Sequence, residues 1–395
     1  MGKTRATYGN RIYDVSIKIK VRDKILGESQ QTLLQIAQTE VNTYNNNMII
    51  REKTNPIIKA LDVPPSRDDF EVFGVFNAAA IAVDKRTFLL LRVSEKVKEE
   101  DSSIASIAKF NSETKKIEKV SFNKNDQNID CSDPRTVKTK NNGNFITSMG
   151  HLRGAWSDDG INFIIDKKPL LAAGTILETY GVEDPRITFI DGKYIITYAA
   201  ISDDGIGTVM AVSEDLKSIE RKGLVFLQNN KNVVIFPEKI NGLYWALHRP
   251  FNKVRTKESI WIATSTDLIH WGQFKKIVSP GPNAWDVLKV GPGAPPIKTE
   301  KGWLEIYHGV DEDEKYSLGV VLLDANDPSK VIGRSKKPFL FAEEIYETDG
   351  LVKNIVFTCG AVKRDNGRID IYYGASDDTM CLASIDEKEL LEYAE

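Results

Sequence analysis

The chain has 395 residues, of which 41% are hydrophobic and 28% charged, with a formal net charge of −3. This balance is typical of a globular protein with a sizeable core, and the even spread of lysine and arginine argues against a nucleic-acid-binding face. The sequence contains no apolar run long enough for a membrane helix and no signal peptide at its start, so a cytoplasmic protein is expected. Three scattered cysteines and four histidines without ligand spacing predict neither disulfides nor a metal site.

The first 47 residues differ in pattern from the rest. They contain an alternating strand pattern over 15–21 and an amphipathic helix pattern over 28–44. We expect residues 1–47 to form a separate N-terminal extension without an assigned role, although an arm that serves structure or a homo-oligomer fits it better than a catalytic part. Residues 48–395 form the second predicted domain.

From residue 48 onwards a pattern recurs: a strand, a glycine or asparagine turn, an aromatic strand, and a third strand ending in Ser-x-Asp. Six segments with starts 51 to 60 residues apart fit it, beginning at Phe73, Ser132, Glu183, Phe236, Ala294 and Asn354. A period near 50 with three or four strands per unit is typical of a β-propeller. The sequence therefore predicts an all-β propeller with short helices at its ends, the last over 386–394.

The third segment, "EDPRITFIDGKYIITYAA", places Asp184 before a predicted hairpin turned at Asp191-Gly192. For an isolated acid, the simpler interpretation is a turn residue that precedes a strand and has no chemical role. In a propeller, however, the innermost strand starts surround one axis, so repeated positions converge on one pocket. The polar residues at such positions are Asn77, Asp133, Asp184, Lys231, Arg249, His308 and Asp377. For each of them a turn cap, a brace between blades or a satisfied core position remains the alternative.

Several stretches, among them "EDPRITFIDGKYIITY", "NVVIFPEKINGLYWALHRP" and "GAPPIKTEKGWLEIYHGV", closely resemble the β-mannoside phosphorylases of glycoside hydrolase family 130. The resemblance runs in order from about residue 48 to about residue 385. It implies a five-bladed propeller, whereas we count six repeats. We favour six, because the segment from Ser132 has its own Asn142-Gly143 turn and third strand. The ring would then be closed by a strand within 48–75 that joins the last repeat.

The resemblance implies an inverting phosphorylase, in which phosphate is the nucleophile and one carboxylic acid protonates the leaving oxygen. Asp184 corresponds to that acid, which in the family acts through the mannose 3-hydroxyl. The implied phosphate ligands are Arg92, Lys231, Arg249, His308 and Tyr316. The implied sugar contacts are Asn77 and Asp377, and we add Asp133, Arg186 and His248 as candidate substrate-binding residues.

Two departures from the family pattern concern these residues. Lys231 stands where many members have arginine, which keeps the charge but not the bidentate geometry, and Asn77 is followed by alanine instead of proline. Trp303, Tyr244 and Tyr307 are candidates for stacking on sugar rings, with packing inside the blades as the alternative.

The expected reaction is phosphorolysis of β-mannosides, with β-1,2 linkages favoured over β-1,4, giving α-mannose 1-phosphate. The expected partners are an oligosaccharide and phosphate, with no cofactor, metal, nucleic acid or membrane. A β-mannosidase, a mannosyltransferase of the same fold and a non-catalytic glycan-binding propeller remain alternatives. The phosphate ligands separate these alternatives, because a binding module has no need of several cations beside one buried acid.

Overall fold

In the computed structural model, the described residues are 5–8, 11–14, 49–140, 143–251, 257–282 and 284–395. The chain divides into two compact units, residues 1–48 and residues 49–395. In the first unit, strands β1 (Arg5–Tyr8) and β2 (Arg11–Asp14) pair antiparallel. The strand predicted over 15–21 and the helix predicted over 28–44 lie outside the described residues.

The regular secondary structure of the second unit is almost entirely β-strand. In chain order they are β3 (Ile50–Arg51), β4 (Phe70–Val83), β5 (Arg86–Val97), β6 (Ile104–Asn111), β7 (Lys116–Asn123), β8 (Ile129–Asp130), β9 (Thr136–Thr139), β10 (Gly143–Ile146), β11 (Ser148–Ser157), β12 (Ile164–Ile165), β13 (Val182–Ile190), β14 (Lys193–Ser202), β15 (Gly205–Ser213), β16 (Glu220–Phe226), β17 (Asn230–Ile235), β18 (Tyr244–Pro250), β19 (Ile260–Ser265), β20 (Trp271–Val278), β21 (Lys289–Pro292), β22 (Ile297–Thr299), β23 (Gly302–Val310), β24 (Tyr316–Leu323), β25 (Val331–Arg334), β26 (Val356–Lys363), β27 (Arg368–Ala375) and β28 (Thr379–Asp386).

Among the described residues, helices are few and short. Three 3-10 helices cover Ala60–Asp62, Ile176–Glu178 and Ala284–Asp286, and the α-helices are α1 (Ile345–Thr348) and α2 (Glu387–Glu392). Helix α2 confirms the helix predicted at the end of the chain, and Asp386 caps it by accepting a hydrogen bond from the Lys388 amide. None of the described helices is long and apolar enough to span a membrane.

Five antiparallel sheets form the blades of a β-propeller, which confirms the predicted fold class. From the inside outwards, blade 1 is β4-β5-β11-β12, blade 2 is β13 to β16, blade 3 is β17 to β20, blade 4 is β21-β23-β24-β25 with β22 beside β23, and blade 5 is β26-β27-β28-β3. The innermost strands of neighbouring blades contact each other, β26 with β4, β4 with β13, β13 with β17 and β17 with β21. They therefore surround a common axis.

The predicted count of six blades is wrong. The segment from Ser132 is divided: residues 136–146 belong to a small separate sheet of β8, β9 and β10, and residues 148–165 supply the third and fourth strands of blade 1. Its predicted hairpin exists, since β9 and β10 pair antiparallel, but it lies in an insertion between β5 and β11 that also contains the hairpin β6–β7. The insertion separates two halves of one blade, and each half looks like a repeat in sequence.

The Ser-x-Asp elements mark the turn between the third and fourth strands of blades 1, 2 and 3. In blade 2 the Ser213 hydroxyl oxygen accepts a hydrogen bond from the Leu216 amide at 2.8 Å, and Asp215 accepts from the amides of Lys217 and Ser218. The same pattern occurs at Ser157-x-Asp159 and Ser265-x-Asp267. The element after Ser132 is therefore a genuine third strand, but it belongs to the repeat that starts at Phe73.

The core is divided into clusters between adjacent blades. Leu89, Leu91 and Val93 of β5 pack towards blade 5, whereas Phe88 and Leu90 pack towards blade 2. Side chains of a strand alternate between its faces, so a strand buried on both faces is apolar throughout. This explains the unbroken hydrophobic run "FLLL" within β5.

Three blades share a buried arrangement that we call a latch. In each latch a tyrosine of the second strand and an arginine of the fourth strand both donate to the carboxylate of a short helical turn. The latches are Tyr198–Glu178–Arg221 in blade 2, Tyr307–Asp286–Arg334 in blade 4 and Tyr373–Glu347–Arg51 in blade 5. Arg51 belongs to β3, which pairs with β28, so the beginning of the unit supplies the last latch and closes the ring.

Candidate active site

Three consecutive innermost strands carry a β-bulge at a polar residue. The pairing register shifts around Asn77 in β4, Asp184 in β13 and Asn232 in β17. Their φ angles are 53°, 47° and 58°, a left-handed conformation that asparagine and aspartate tolerate better than most residues. Bulges change the direction of a side chain relative to the regular pleat. In this way Asn77 and Asp184, from different blades, come into contact at 3.0 Å between Nδ2 and Oδ1.

Asp184 lies at the centre of the site and is only 5% exposed. Its Oδ1 accepts hydrogen bonds from Asn77 and, at 2.8 Å, from Nη1 of Arg92. Burial by itself would raise its pKa, but the positive charges of Arg92, Arg186 and Lys231 outweigh burial and lower the pKa to about 2. In the ligand-free site Asp184 is therefore an ionised carboxylate.

Two arginines hold Asp184 and its neighbour. Arg92 donates from Nη2 to Oε1 of Glu183 at 2.7 Å in addition to its bond with Asp184. Arg186 donates from Nη1 to the backbone oxygen of Asp184 at 2.8 Å and from Nε to the carbonyl of Gly293 at 3.1 Å. Its Nη2 is buried and has no hydrogen-bond partner within the described ranges. One guanidinium thus fixes the backbone of the acid, and the other fixes its side chain.

Lys231, Arg249 and Lys289, which we call the cation cluster, lie beside this acid. Lys231 on β17 is directly opposite Arg249 on β18, and like charges in that position are unfavourable. Burial and the charge of Arg249 lower the pKa of Lys231 and of Lys289. Lys289 also lies over the ring of Tyr316, with 4.8 Å between Nζ and the ring centre. Arg249 Nε is 3.0 Å from Glu258 Oε2, but its N–H does not point at that oxygen, so the contact is an ion pair without a directed hydrogen bond.

His308 is completely buried against the cation cluster. Arg249 donates from Nη1 to Nε2 of His308 at 2.8 Å, so Nε2 is an acceptor and the proton of the neutral ring is on Nδ1. Burial, and after it the charges of Arg249 and Lys289, keep the pKa of His308 well below its usual value. Gly291 permits this packing, because a Cβ there would lie 2.5 Å from Cε1 of His308. The ring presents an N–H donor that has no partner in the described part of the chain.

Asp377 supplies a second carboxylate, just after β27. Burial raises its pKa; Arg92 partly opposes this, while the negative charges of Asp184 and Glu183 add to it, and the result is about 6. Asp184 and Asp377 therefore titrate far apart although they influence each other. One is ionised at neutral pH in the empty site, and the other changes its charge near pH 6.

The structure brings together nine of the residues that the sequence singled out: Asp184, Arg92, Lys231, Arg249, His308, Tyr316, Asn77, Arg186 and Asp377. Asp133 does not join this group. It lies in the insertion between β8 and β9, and both of its carboxylate oxygens bind Arg135 of the same loop, at 3.0 and 2.8 Å. Substrate binding by Asp133 stays a prediction.

His248 is also directed away from the cation cluster. It directly precedes Arg249 on β18. Because successive side chains of a strand point to opposite faces, His248 lies on the opposite face from Arg249. Its Nδ1 is 3.0 Å from Nδ2 of Asn230, and its ring packs on Phe226 at 4.8 Å between ring centres. Burial lowers the pKa of His248 to about 3. A direct role in substrate binding stays a prediction, and the observed contacts are those of a core histidine.

The aromatic residues considered for sugar stacking are used for packing. Trp303 is buried against Phe236 and donates to the Ala325 carbonyl at 3.2 Å. Tyr307 is part of the blade 4 latch, and the hydroxyl of Tyr244 binds Asp191 at the turn of the blade 2 hairpin. These contacts agree with the alternative interpretation, in which the three residues serve packing within the propeller.

Two residues near the acid, Asn232 and Lys289, were not predicted from the sequence. Asn232 is 3% exposed, and neither of its side-chain polar atoms has a partner in the part of the chain that the structure describes. Its position in "NKNVV" matches that of Asn77 in "FNAA" and Asp184 in "EDPR", each inside a bulge of an innermost strand. An alignment of the innermost strands of the repeats would have identified Asn232. Lys289 lies on β21, ahead of the start that we assigned to the fifth repeat.

Comparisons with known proteins identify the family of the chain. A family model described as beta-1,4-mannooligosaccharide phosphorylase matches residues 147–395. The beta-1,2-mannobiose phosphorylase of Listeria innocua is 39% identical over 350 residues, which cover 88% of this chain and 98% of that protein. The 1,2-beta-oligomannan phosphorylase of a Thermoanaerobacter species is 44% identical over 252 residues, or 63% of this chain and 81% of that protein.

A solved structure of the Listeria enzyme in complex with beta-1,2-mannobiose superimposes with a TM-score of 0.84 and covers 88% of this chain and 99% of that one. The match therefore includes the blades as well as the sequence motifs. The family model, the curated relative and the solved structure lead to the same assignment: the chain belongs to glycoside hydrolase family 130, the mannoside phosphorylase family.

Proposed function

We propose that this protein cleaves β-1,2-linked mannooligosaccharides with inorganic phosphate and releases α-mannose 1-phosphate. The observation that carries this proposal is the cation cluster, in which Lys231 and Arg249 face each other beside an ionised acid. Such an arrangement is unfavourable when empty and becomes favourable when a dianion binds between the charges. Water, the nucleophile of a hydrolase, is uncharged and does not need such a cluster to bind. Phosphate is an anion and does.

In the proposed reaction a phosphate oxygen attacks C1 of the mannose and the bond from C1 to the glycosidic oxygen breaks. Asp184 supplies the proton for the leaving oxygen, passed through the mannose 3-hydroxyl as the family resemblance implies. In the empty site the pKa of Asp184 is about 2, too low for an acid that must carry a proton near neutral pH. Bound phosphate brings negative charge next to the acid and offsets Lys231, which raises this pKa. Substrate binding therefore prepares the acid.

The side chains divide into two groups by charge and position. Arg92, Lys231, Arg249, His308 and Tyr316 are proposed phosphate ligands, and Lys289 and Asn232 extend this set. Asn77, Arg186 and Asp377 are proposed to contact the mannose that is transferred. The proposed acceptor side is the insertion that carries Asp133, because it leads into β11, whose Gly150 bridges to Gly181 just before the acid.

Incubation with β-1,2-mannobiose and β-1,4-mannobiose, each with and without phosphate, tests this function. We expect mannose 1-phosphate only from the β-1,2 substrate and only when phosphate is present. The relatives of 39% and 44% identity support the β-1,2 linkage by their names, although the family model is described by the β-1,4 linkage. Equal turnover with and without phosphate would contradict the phosphorylase and favour a β-mannosidase.

A further inference from the structure

Glu305 is a completely buried acid that the proposed reaction does not use. It lies in the middle of β23, every residue of which is buried, and its neighbours Leu304 and Ile306 belong to the core between blades 4 and 5. A strand buried on both faces normally carries apolar residues at such a position. A carboxyl group there is unfavourable unless it makes specific contacts.

A series of hydrogen bonds connects Glu305 to Asp184. Its Oε1 accepts a hydrogen bond from the amide of Gly293 at 2.9 Å. The carbonyl of Gly293 accepts from Nε of Arg186 at 3.1 Å, and Nη1 of Arg186 donates to the backbone oxygen of Asp184 at 2.8 Å. Three hydrogen bonds thus connect a side chain of blade 4 to the backbone of Asp184 in blade 2.

Gly293 is restricted to glycine at this point of the path. A Cβ on Gly293 would lie 2.4 Å from the carbonyl oxygen of Ile306 and 3.1 Å from Cγ2 of Thr358. The backbone of Gly293 therefore packs tightly against blade 4, and both of its polar groups are paired, the N–H with Glu305 and the carbonyl with Arg186. If the side chain at position 305 could not accept from the Gly293 N–H, this buried donor would be unpaired. The backbone at Gly293 would then tend to rotate.

Asp184 needs support of this kind. Its φ of 47° is a strained conformation for a residue with a Cβ, and Pro185 after it offers no N–H for a stabilising bond. The bond from Arg186 to its carbonyl restrains the bulge that directs the Asp184 side chain to the site. A small displacement of this bulge would move the acid relative to the substrate, and catalysis is sensitive to such displacements.

We propose that Glu305 is a positioning residue for the general acid: it fixes the backbone of Gly293, the carbonyl of Gly293 orients Arg186, and Arg186 holds Asp184 in its left-handed bulge. The proposal rests on the proposed function only in taking Asp184 as the acid. Burial raises the pKa of Glu305 well above its usual value, which favours the uncharged acid. An uncharged Glu305 leaves the charge of Arg186 available to Asp184 and its ligands, and glutamine has nearly the same shape as the neutral acid.

The test compares Glu305→Gln with Glu305→Leu, using β-1,2-mannobiose and phosphate. We expect the glutamine variant to keep kcat within about 2-fold and to keep the pH profile. We expect the leucine variant to lose at least about 10-fold in kcat, while the KM for phosphate stays within about 3-fold, because the path from Glu305 to Asp184 contains none of the proposed phosphate ligands. Should the leucine variant fail to fold, Glu305→Met, which has a more adaptable side chain, takes its place.

The matched control is Glu347→Gln in the latch of blade 5, where the carboxylate is equally buried but is not connected to Asp184 by these bonds. It should lower the unfolding midpoint and leave kcat unchanged. An unaltered kcat in a folded leucine variant would overturn the proposal. A glutamine variant as slow as the leucine variant, or one whose alkaline limb moves to lower pH, would overturn it too, because Glu305 would then act through its charge.

Failure of the proposed function gives a different result. If the unmodified protein turns over mannobiose without phosphate, the reaction is hydrolysis, and the effect of Glu305→Leu on kcat is measured on that reaction instead. If Asp184→Asn is fully active, the acid has been assigned wrongly, and the positioning role fails with it.

Discussion

The latches and the cation cluster are both buried groups of charges, but they are organised in opposite ways. In the latch of blade 5, both oxygens of Glu347 accept hydrogen bonds, from Tyr373, from Arg51 and from two backbone amides. At the centre of the ring, Lys231 faces Arg249. Near them the side chain of Asn232 and Nδ1 of His308 lack partners among the residues described.

This difference separates structural from functional charges. Buried polar groups in proteins are almost always hydrogen-bonded, and a satisfied network stabilises the fold. A buried group left unsatisfied lowers stability, and for Asn232 and His308 we propose that a ligand supplies the partner.

The largest effect is expected at the acid. Asp184→Asn keeps the shape and removes the proton, so kcat should fall at least about 100-fold, the usual scale of general acid catalysis. Steady-state kinetics with β-1,2-mannobiose measures it. The matched control is Asp133→Asn, in the same Asp-Pro-Arg motif but bound to Arg135 in the insertion, which should keep kcat within about 3-fold. If Asp133→Asn were inactive and Asp184→Asn nearly normal, Asp133 and not Asp184 would be the general acid.

The next effect concerns a latch. Arg51→Ala leaves the carboxylate of Glu347, which is fully buried, without its cation. Removing one partner of a buried ion pair typically lowers the free energy of unfolding by about 3–5 kcal/mol, and urea denaturation measures this. Arg67→Ala is the control, because its ion pair with Asp69 is exposed and should contribute less than about 1 kcal/mol. Equal losses in the two variants would contradict a special role for the latch in closing the ring.

A smaller effect, on binding, is expected for the cation cluster. Arg249→Ala should raise the KM for phosphate by about one to two orders of magnitude, because a charge-assisted contact contributes roughly 1.5–3 kcal/mol. The KM for mannobiose should change much less. Arg221→Ala, in the latch of blade 2, should lower stability and leave the KM for phosphate unchanged. If both arginine variants changed the same quantity, the distinction between the two kinds of buried charge would fail.

The smallest effect is expected from Asp377 and depends on pH. Its pKa of about 6 lies above the ordinary value of 3.8, so between pH 4 and 6 the folded protein holds a proton that the unfolded chain has lost. The contribution of Asp377 to stability therefore decreases as the pH rises through this window. Because Asp377 is only partly buried, we expect a change on the order of 1 kcal/mol. Denaturation of Asp377→Asn and of the unmodified protein at pH 4 and 6 should show this slope only in the latter.

The hairpin and the bulge of blade 2 show how far the sequence could be interpreted. Asp191-Gly192 predicts a tight turn, and β13 and β14 do meet there, with φ of 52° and 76° at the two residues. The bulge at Asp184 has no such local signal, since it depends on the partner strand having one residue fewer. Asn232 was missed for this reason, and Asn77 and Asp184 were selected through position and resemblance and not through any sign of a bulge.

The blade count was wrong for a different physical reason. Strand pairing depends on which strands meet in space, and a hairpin is equally well formed inside an insertion as inside a blade. The segment from Ser132 satisfies every local rule for a repeat, yet β11 pairs with β5, across the insertion that separates them in the chain. Turn residues and alternation carry no information about such distant partners.

By itself, the sequence determined the secondary structure, the propeller class and the residue types of the site, because turns, strand alternation and repeat period are local properties of the chain. The tertiary structure decided which residues meet. It placed Lys231 of β17 directly opposite Arg249 of β18. It also placed Arg51 on Glu347, nearly 300 residues later in the chain. These contacts depend on strand register and ring closure, which are set by the packing of all five blades together.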